Sequence, residues 1–161
     1  MRLLVQLRSF TLLLLLGTAA ACGDEIGDSC SIHSECSPTG ERICDQQSPD
    51  GYCTILGCDF DTCPDEAVCV SFFSVASTNL LCADSTDCTA DEICTLGGYC
   101  VPRSSEVRYC MKKCSGGGDC RSKYECRDLE LMQEHGGEPV PPPGENLSLD
   151  NLQGFCAAAP I

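Results

Sequence analysis

Seventeen cysteines dominate the chemistry open to this chain of 161 residues. A thiolate can ligate metal, exchange with a disulfide or carry a lipid, and a thiol pair can be consumed as a structural bridge. Spacing separates these uses. Zinc knuckles and ribbons place two ligands on one tight turn, typically as C-x-x-C, and that motif does not occur here. Its lack also removes the thioredoxin-type redox centre. The closest pair, Cys110 and Cys114, has three residues between. Other fragments of catalytic patterns stop short. His33-Ser34-Glu35 spells H-x-E without the P-C-x-x-C that a zinc deaminase needs. Ser115-Gly116-Gly117-Gly118-Asp119 is glycine-rich, but no Lys-Ser or Lys-Thr follows to make a phosphate loop. Asp59-Phe60-Asp61 opens like a calcium loop, yet Pro64 and Val70 hold the positions that need Gly and Glu. With two histidines and no G-x-S-x-G, no catalytic residue, metal or cofactor is expected, and the chain is read as a non-enzyme.

Composition narrows what could position any site. There is no Trp, only five Phe and four Tyr, and Gly and Pro number 15 and 9. Such a chain is too poor in large apolar residues for one conventional core. Cysteine above a tenth of the residues marks a disulfide scaffold, and scaffolds of this size rely on staples where burial falls short. Each native disulfide contributes roughly 2–4 kcal/mol.

Residues 1–21 are unlike the rest. Arg2 and Arg8 precede an apolar stretch containing Leu12–Leu16, and Gly17-Thr18-Ala19-Ala20-Ala21 leads into Cys22. Positive start, short apolar core and small-residue cleavage site make a secretory signal, too short for the ~20 residues of a spanning helix. Small residues ending in Cys resemble the lipobox of bacterial lipoproteins. That resemblance implies cleavage before Cys22 and attachment of diacylglycerol to its sulfur, with acyl chains such as palmitate anchoring the protein stably. The lipobox usually has Leu three residues before the Cys; here Ala19 stands there. Ala19-Ala20-Ala21 also fits an ordinary A-x-A cleavage site, which would release a soluble secreted protein. An odd cysteine in an exported chain needs an explanation, and Cys22 is the one at the signal junction.

The other sixteen are Cys30, Cys36, Cys44, Cys53, Cys58, Cys63, Cys69, Cys82, Cys88, Cys94, Cys100, Cys110, Cys114, Cys120, Cys126 and Cys156. Behind an export signal they are expected to pair as structural disulfides, although they allow about two million pairings. Their spacing repeats. Cys82-x5-Cys88-x5-Cys94-x5-Cys100 is regular, Cys114-x5-Cys120-x5-Cys126 follows it, and Cys30-x5-Cys36-x7-Cys44-x8-Cys53 and Cys58-x4-Cys63-x5-Cys69 are looser versions. An acid precedes the second cysteine in Glu35-Cys36, Asp87-Cys88 and Asp119-Cys120. Gly-aromatic-Cys closes three units, in Gly51-Tyr52-Cys53, Gly98-Tyr99-Cys100 and Gly154-Phe155-Cys156. Self-similarity of this kind marks repeated structural units. The Gly is expected to supply a positive φ, and the aromatic to cover a disulfide. The stretch Cys58–Cys82 lacks both marks, with Thr62 before Cys63 and Leu80-Leu81 before Cys82.

The repeated C-x5-[DE]-C-x5-C-x(n)-G-[YF]-C resembles the short disulfide repeats of cysteine-rich lipoproteins from myxobacteria-like bacteria. It is similar in style to EB modules and Dickkopf-type domains of animal extracellular proteins. The resemblance covers about residues 28–156 and implies architecture, with no catalytic residue to carry over.

The expected fold class is therefore small and disulfide-rich: tandem loop-rich modules with short β-hairpins and little regular secondary structure. The expected organisation is a signal peptide over 1–21, a lipidated acidic tether over 22–29, a first disulfide-rich region over 30–82 and a second over 83–161. Residues 67–82 read as a hairpin, with Phe72 and Phe73 on opposite faces. A short helix is expected near 127–135, ended by Gly136-Gly137, followed by a Pro-rich surface loop over 136–150.

Once Arg2 and Arg8 leave with the signal, eight basic residues face 24 acids. So acidic a protein is not expected to bind nucleic acid. Seven of the eight bases fall between Arg103 and Arg127. Lys112, Lys113, Arg121 and Lys123 are the candidate site for an anionic partner such as an acidic glycan, with Gly116–Gly118 exposing backbone amides; pairing with the chain's own acids is the alternative. The function expected from all this is a lipid-anchored protein of the bacterial cell envelope with a binding or structural role. The alternative is a small disulfide-rich inhibitor, for example of proteases, acting through a loop at 101–109 or 136–150.

Overall fold

The computed structural model describes residues 24–74 and 80–160. Residues 1–21, expected to be a signal peptide, and Cys22 lie outside the described residues. The chain is disulfide-rich and mostly loop, with short strands and two short helices among the described residues.

All sixteen cysteines from Cys30 to Cys156 are paired: Cys30–Cys44, Cys36–Cys53, Cys58–Cys69, Cys63–Cys110, Cys82–Cys94, Cys88–Cys100, Cys114–Cys126 and Cys120–Cys156. One rule generates the whole set. The cysteines fall into four units of four, and in each unit the first pairs with the third and the second with the fourth. The third and fourth cysteines of a unit always stand directly opposite one another on antiparallel strands: Cys44 and Cys53, Cys69 and Cys110, Cys94 and Cys100, Cys126 and Cys156. Each unit is thus a two-stranded ladder with a turn, carrying the first two cysteines, stapled onto it twice.

The first unit pairs β1 (Ile43–Asp45) with β2 (Tyr52–Thr54) behind the one-turn helix α1 (His33–Cys36). The second unit is split. Its third cysteine lies on β3 (Ala67–Phe73), and its fourth is Cys110 on the long strand β6 (Glu106–Cys114). The third unit, with β4 (Glu92–Cys94) and β5 (Cys100–Pro102), is inserted between them. The boundary drawn at residue 82 is therefore crossed by Cys63–Cys110, and Cys82 opens the third unit by pairing with Cys94. The fourth unit pairs β7 (Tyr124–Arg127) with β9 (Gly154–Ala158) and carries α2 (Leu129–His135) and β8 (Glu138–Pro139) between them.

A five-stranded antiparallel sheet, in the order β7-β9-β6-β3-β8, joins the second and fourth units. Among the described residues the hairpin expected over 67–82 is not seen. β3 pairs over its whole length with β6 instead, in the register Cys69 to Cys110, and Leu81 bridges Tyr99. Seven paired residues of β6 offer β3 more ladder hydrogen bonds than the Leu80-Leu81 pair can. The helix near 127–135 is present. Asp128 caps it, its Oδ1 accepting from Leu131 N at 3.1 Å, and Gly136 at φ 79° ends it. The Pro-rich loop begins later than expected, because Pro139 pairs with Val70 on the edge of β3 and Val140 is buried.

The tether is also shorter than the sequence implied. Ile26 is fully buried. Gly27 N donates to Cys53 O at 2.9 Å and Cys53 N to Asp28 O at 2.9 Å, so the segment is held against β2. An apolar side chain four residues after Cys22 is worth more in the core than in water, and it draws the whole segment in.

Candidate binding site

The repeat marks turn out to be structural. The acid before each second cysteine folds back on the turn that follows the first. Glu35 Oε2 accepts from Ser31 N at 2.6 Å, Asp87 Oδ2 from Ala83 N at 2.7 Å, and Asp119 Oδ2 from Ser115 N at 2.7 Å. In the second unit Thr62 Oγ1 does the same for Asp59 N at 2.8 Å. These side chains satisfy amides that the short turns leave unpaired. The glycine makes room. A Cβ on Gly51 would sit 1.9 Å from Cys30 O, and one on Gly154 would sit 2.9 Å from Cys114 O. Gly51 also has the expected positive φ of 67°, whereas Gly154 does not, and is there for close approach alone.

Of the aromatics before the fourth cysteine, Tyr52 and Phe155 are core. The Tyr52 ring stacks on Tyr124 with centroids 5.3 Å apart. Its hydroxyl donates to Cys156 O at 3.1 Å and accepts from Lys112 N at 3.0 Å. Burial pushes the Tyr52 hydroxyl pKa far above the ordinary range. In the second unit this position is held by Tyr109.

The basic residues are largely committed within the protein. Arg121 donates through Nε to Gly27 O at 2.9 Å and through Nη2 to Gly51 O, and its guanidinium lies 4.0 Å from the Tyr124 ring centroid. It is the clamp between the fourth and first units. Lys123 Nζ pairs with Asp50 Oδ1 at 2.8 Å, and Lys113 Nζ donates to Asp65 O at 3.0 Å. Lys112 lies along Gly27, the residue that Arg121 also holds. Two of the amides of the Gly116–Gly118 turn are already taken, since Asp119 accepts from both Ser115 N and Gly116 N. Three of the four candidate anion ligands, Lys113, Arg121 and Lys123, thus face acceptors on the same chain.

The three-cysteine groups within each unit bring sulfurs within 4.8 Å of one another, as a metal site would. Every one of these sulfurs is bonded to another sulfur, so none is the thiolate that metal ligation requires.

A cleft of about 960 Å³ lies between the third unit and the sheet. Across its floor run Arg108, Ser71 and Glu138, directly opposite one another on β6, β3 and β8. Phe73 and Glu106 stand beside them. Phe72, the neighbour of Phe73, turns to the other side, against Tyr109 and Phe155. Glu106 Oε1 accepts from Ser71 Oγ at 2.5 Å and from Arg108 Nε at 2.8 Å. Burial acts to raise the Glu106 carboxyl, but hydrogen bonds from Arg108 and Ser71, with the Arg108 charge, hold it below the usual value. Glu138 moves the other way. Burial raises it, the Glu106 charge adds to the rise, and the Leu96 N–H bond at 2.5 Å only partly offsets them. Two carboxyls with opposed shifts in one cleft are a common mark of a binding site.

A pH dependence follows. Glu138 keeps its proton longer in the folded state than in the unfolded one. Its contribution to stability is complete below the ordinary Glu pKa and is lost as pH rises through the raised value. Glu138→Gln preserves the acceptor for Leu96 N and removes the charge. Thermal melts should find the variant more stable than wild type at pH 7, with the difference gone at pH 4. An unchanged or lower melting temperature at pH 7 would refute this account of Glu138.

No protein-family model, curated protein or solved structure matches this chain.

Proposed function

We propose that this chain is an exported protein, anchored to the cell-envelope membrane by lipid on Cys22, that acts by binding. The observation carrying the reading is the cysteine count resolved by structure. The four units use every cysteine from Cys30 to Cys156. The seventeenth stands where an apolar leader ends in three alanines. Disulfides at this density belong to an oxidising compartment. Among the described residues no helix is long and apolar enough to cross a membrane, so a lipid would supply the anchor. The resemblance to cysteine-rich bacterial lipoproteins with short disulfide repeats supports the same reading. The cleft beside the third unit supports the binding role.

Cys22→Ser tests the anchor. Wild type should sediment with membranes through salt and carbonate washes, and the variant should move to the soluble fraction. Intact mass of the wild type should equal residues 22–161 plus a diacylglycerol-based modification. A variant that stays on the membrane would overturn the anchor.

The inhibitor reading retains one supporting feature. Of its two loops, 101–109 is mostly structure: Val101 is buried on β5, and residues 106–109 are the start of β6. Residues 141–150 remain an open segment, held between buried Val140 and the Cys120–Cys156 bridge. Incubation with a panel of proteases, scored for inhibition that survives brief heating, separates the two roles.

A further inference from the structure

Between the first unit and the sheet lies a second, smaller cavity of about 290 Å³, roughly the share of ten waters in the liquid. One wall is apolar and aromatic: the Phe72 and Tyr109 rings meet edge to face with centroids 6.1 Å apart, beside Met111 and Ala157. The rest is more polar, with Gln47, Ser48 and Thr54 among its residues.

Two polar groups in this wall have capacity left over. The first is Arg127, only 7% exposed. Its Nε donates to Glu125 Oε1 at 2.9 Å, its Nη1 to His135 O at 2.8 Å and Gly136 O at 2.9 Å, and its Nη2 to Ala158 O at 2.9 Å. A guanidinium has five N–H donors, so one on Nη2 remains. The second is the Tyr109 hydroxyl, which makes no hydrogen bond among the described residues. The equivalent tyrosine of the first unit, Tyr52, uses its hydroxyl twice. The position that is structural in the first unit is thus spare in the second. A pocket with apolar walls and a few convergent polar groups is the usual form of a small-ligand site.

Charge selects the ligand further. Glu125 neutralises Arg127 and also contacts His135 Nδ1 at 2.7 Å. Asp45 at the mouth adds a negative charge. An anionic ligand would meet no net positive field.

We propose that this cavity binds small neutral aromatic molecules bearing a hydrogen-bond acceptor. The ring lies among Phe72, Tyr109 and Met111, and the acceptor takes the spare N–H of Arg127. The inference rests on the binding role proposed above and is independent of the lipid anchor.

Benzamide is the probe and benzoate its charged control, followed by saturation-transfer NMR and titration with the mature, disulfide-intact protein. Benzamide should saturate at one site, with benzoate at least about tenfold weaker, a difference of about 1.4 kcal/mol. Gln47→Trp, at an exposed residue of the mouth, and Ala158→Phe, at the half-buried wall, should each abolish saturation, and Gln47→Trp should leave the melting temperature unchanged. No saturable benzamide signal at millimolar concentration would overturn the proposal. So would equal binding of benzoate, or undiminished binding in both variants. Failure of the anchor would show in the intact mass and leave this titration unaffected.

Discussion

Mild reduction under native conditions is expected to open Cys82–Cys94 and Cys88–Cys100 first, and full reduction to unfold the protein, while EDTA leaves its circular dichroism unchanged. Attack on a disulfide needs access to sulfur. In the third unit Cys82, Cys88 and Cys94 are all half-exposed, whereas all four cysteines of the first unit are buried, Cys36 and Cys53 completely. Loop size does not explain the order, since the bridges of the third unit each span 12 residues and Cys30–Cys44 spans 14. Removing one native bridge from a small secreted domain costs about 2–5 kcal/mol, against about 5–15 kcal/mol of total stability. Two lost bridges therefore consume much of the margin, and later ones exceed it. Timed alkylation followed by peptide mapping reads the order. Early labelling of Cys30, Cys36, Cys44 or Cys53 would contradict it, and loss of the folded spectrum in EDTA would reveal a metal.

Gly51→Ala is expected to cost about 2–5 kcal/mol and to suppress recovery of the native disulfide isomer. Two effects add. A left-handed backbone costs an L-residue about 1–2 kcal/mol, and Gly51 has φ 67°. The new methyl would also stand 1.9 Å from the carbonyl oxygen of Cys30. That atom is backbone, in a residue held by its disulfide to Cys44 and by its N–H bond to Asp50 O at 3.2 Å, and cannot rotate away; forced overpacking typically costs about 1–3 kcal/mol more. Gly40→Ala is the control. Its φ is 82°, but nothing lies within 4 Å of the added carbon, so only the backbone cost of about 1–2 kcal/mol applies. Oxidative refolding yields and denaturant melts of both variants measure the difference. Equal losses at the two positions would show that the contact with Cys30 does not matter.

The repeat was legible because its marks are local. An acid three or four residues beyond the amides it caps, and a glycine-aromatic pair before a cysteine, are visible in a dozen letters. The split of the second unit was not legible. Its fourth cysteine carries the aromatic mark, Tyr109, but Arg108 replaces the glycine, and Cys110 comes 41 residues after Cys69 with a whole unit between. Proximity in sequence favoured Cys82, and the sheet that depends on the longer connection stayed hidden with it. Charge was misleading for a related reason. Seven bases in 25 positions look like a surface patch when no partner is in view. Arg121 and Arg127 spend their donors on carbonyls of Gly27, Gly51, His135 and Ala158, which no charge count includes. The smaller cavity was equally hidden, since its walls come from five separated stretches between Asp45 and Ala158.

The insertion of the third unit between Cys69 and Cys110 imposes a schedule on biosynthesis. A chain oxidised from its N-terminus onward can complete the first unit once Cys53 has emerged. Cys58 can then close on Cys69, but Cys63 has to stay reduced until its partner arrives 47 residues later. In the interval four further cysteines, Cys82 to Cys100, pass by and must find one another without capturing it. Completion therefore runs first, third, second, fourth, out of step with the order of synthesis. Cys63 is the residue on which a disulfide isomerase would have the most errors to undo.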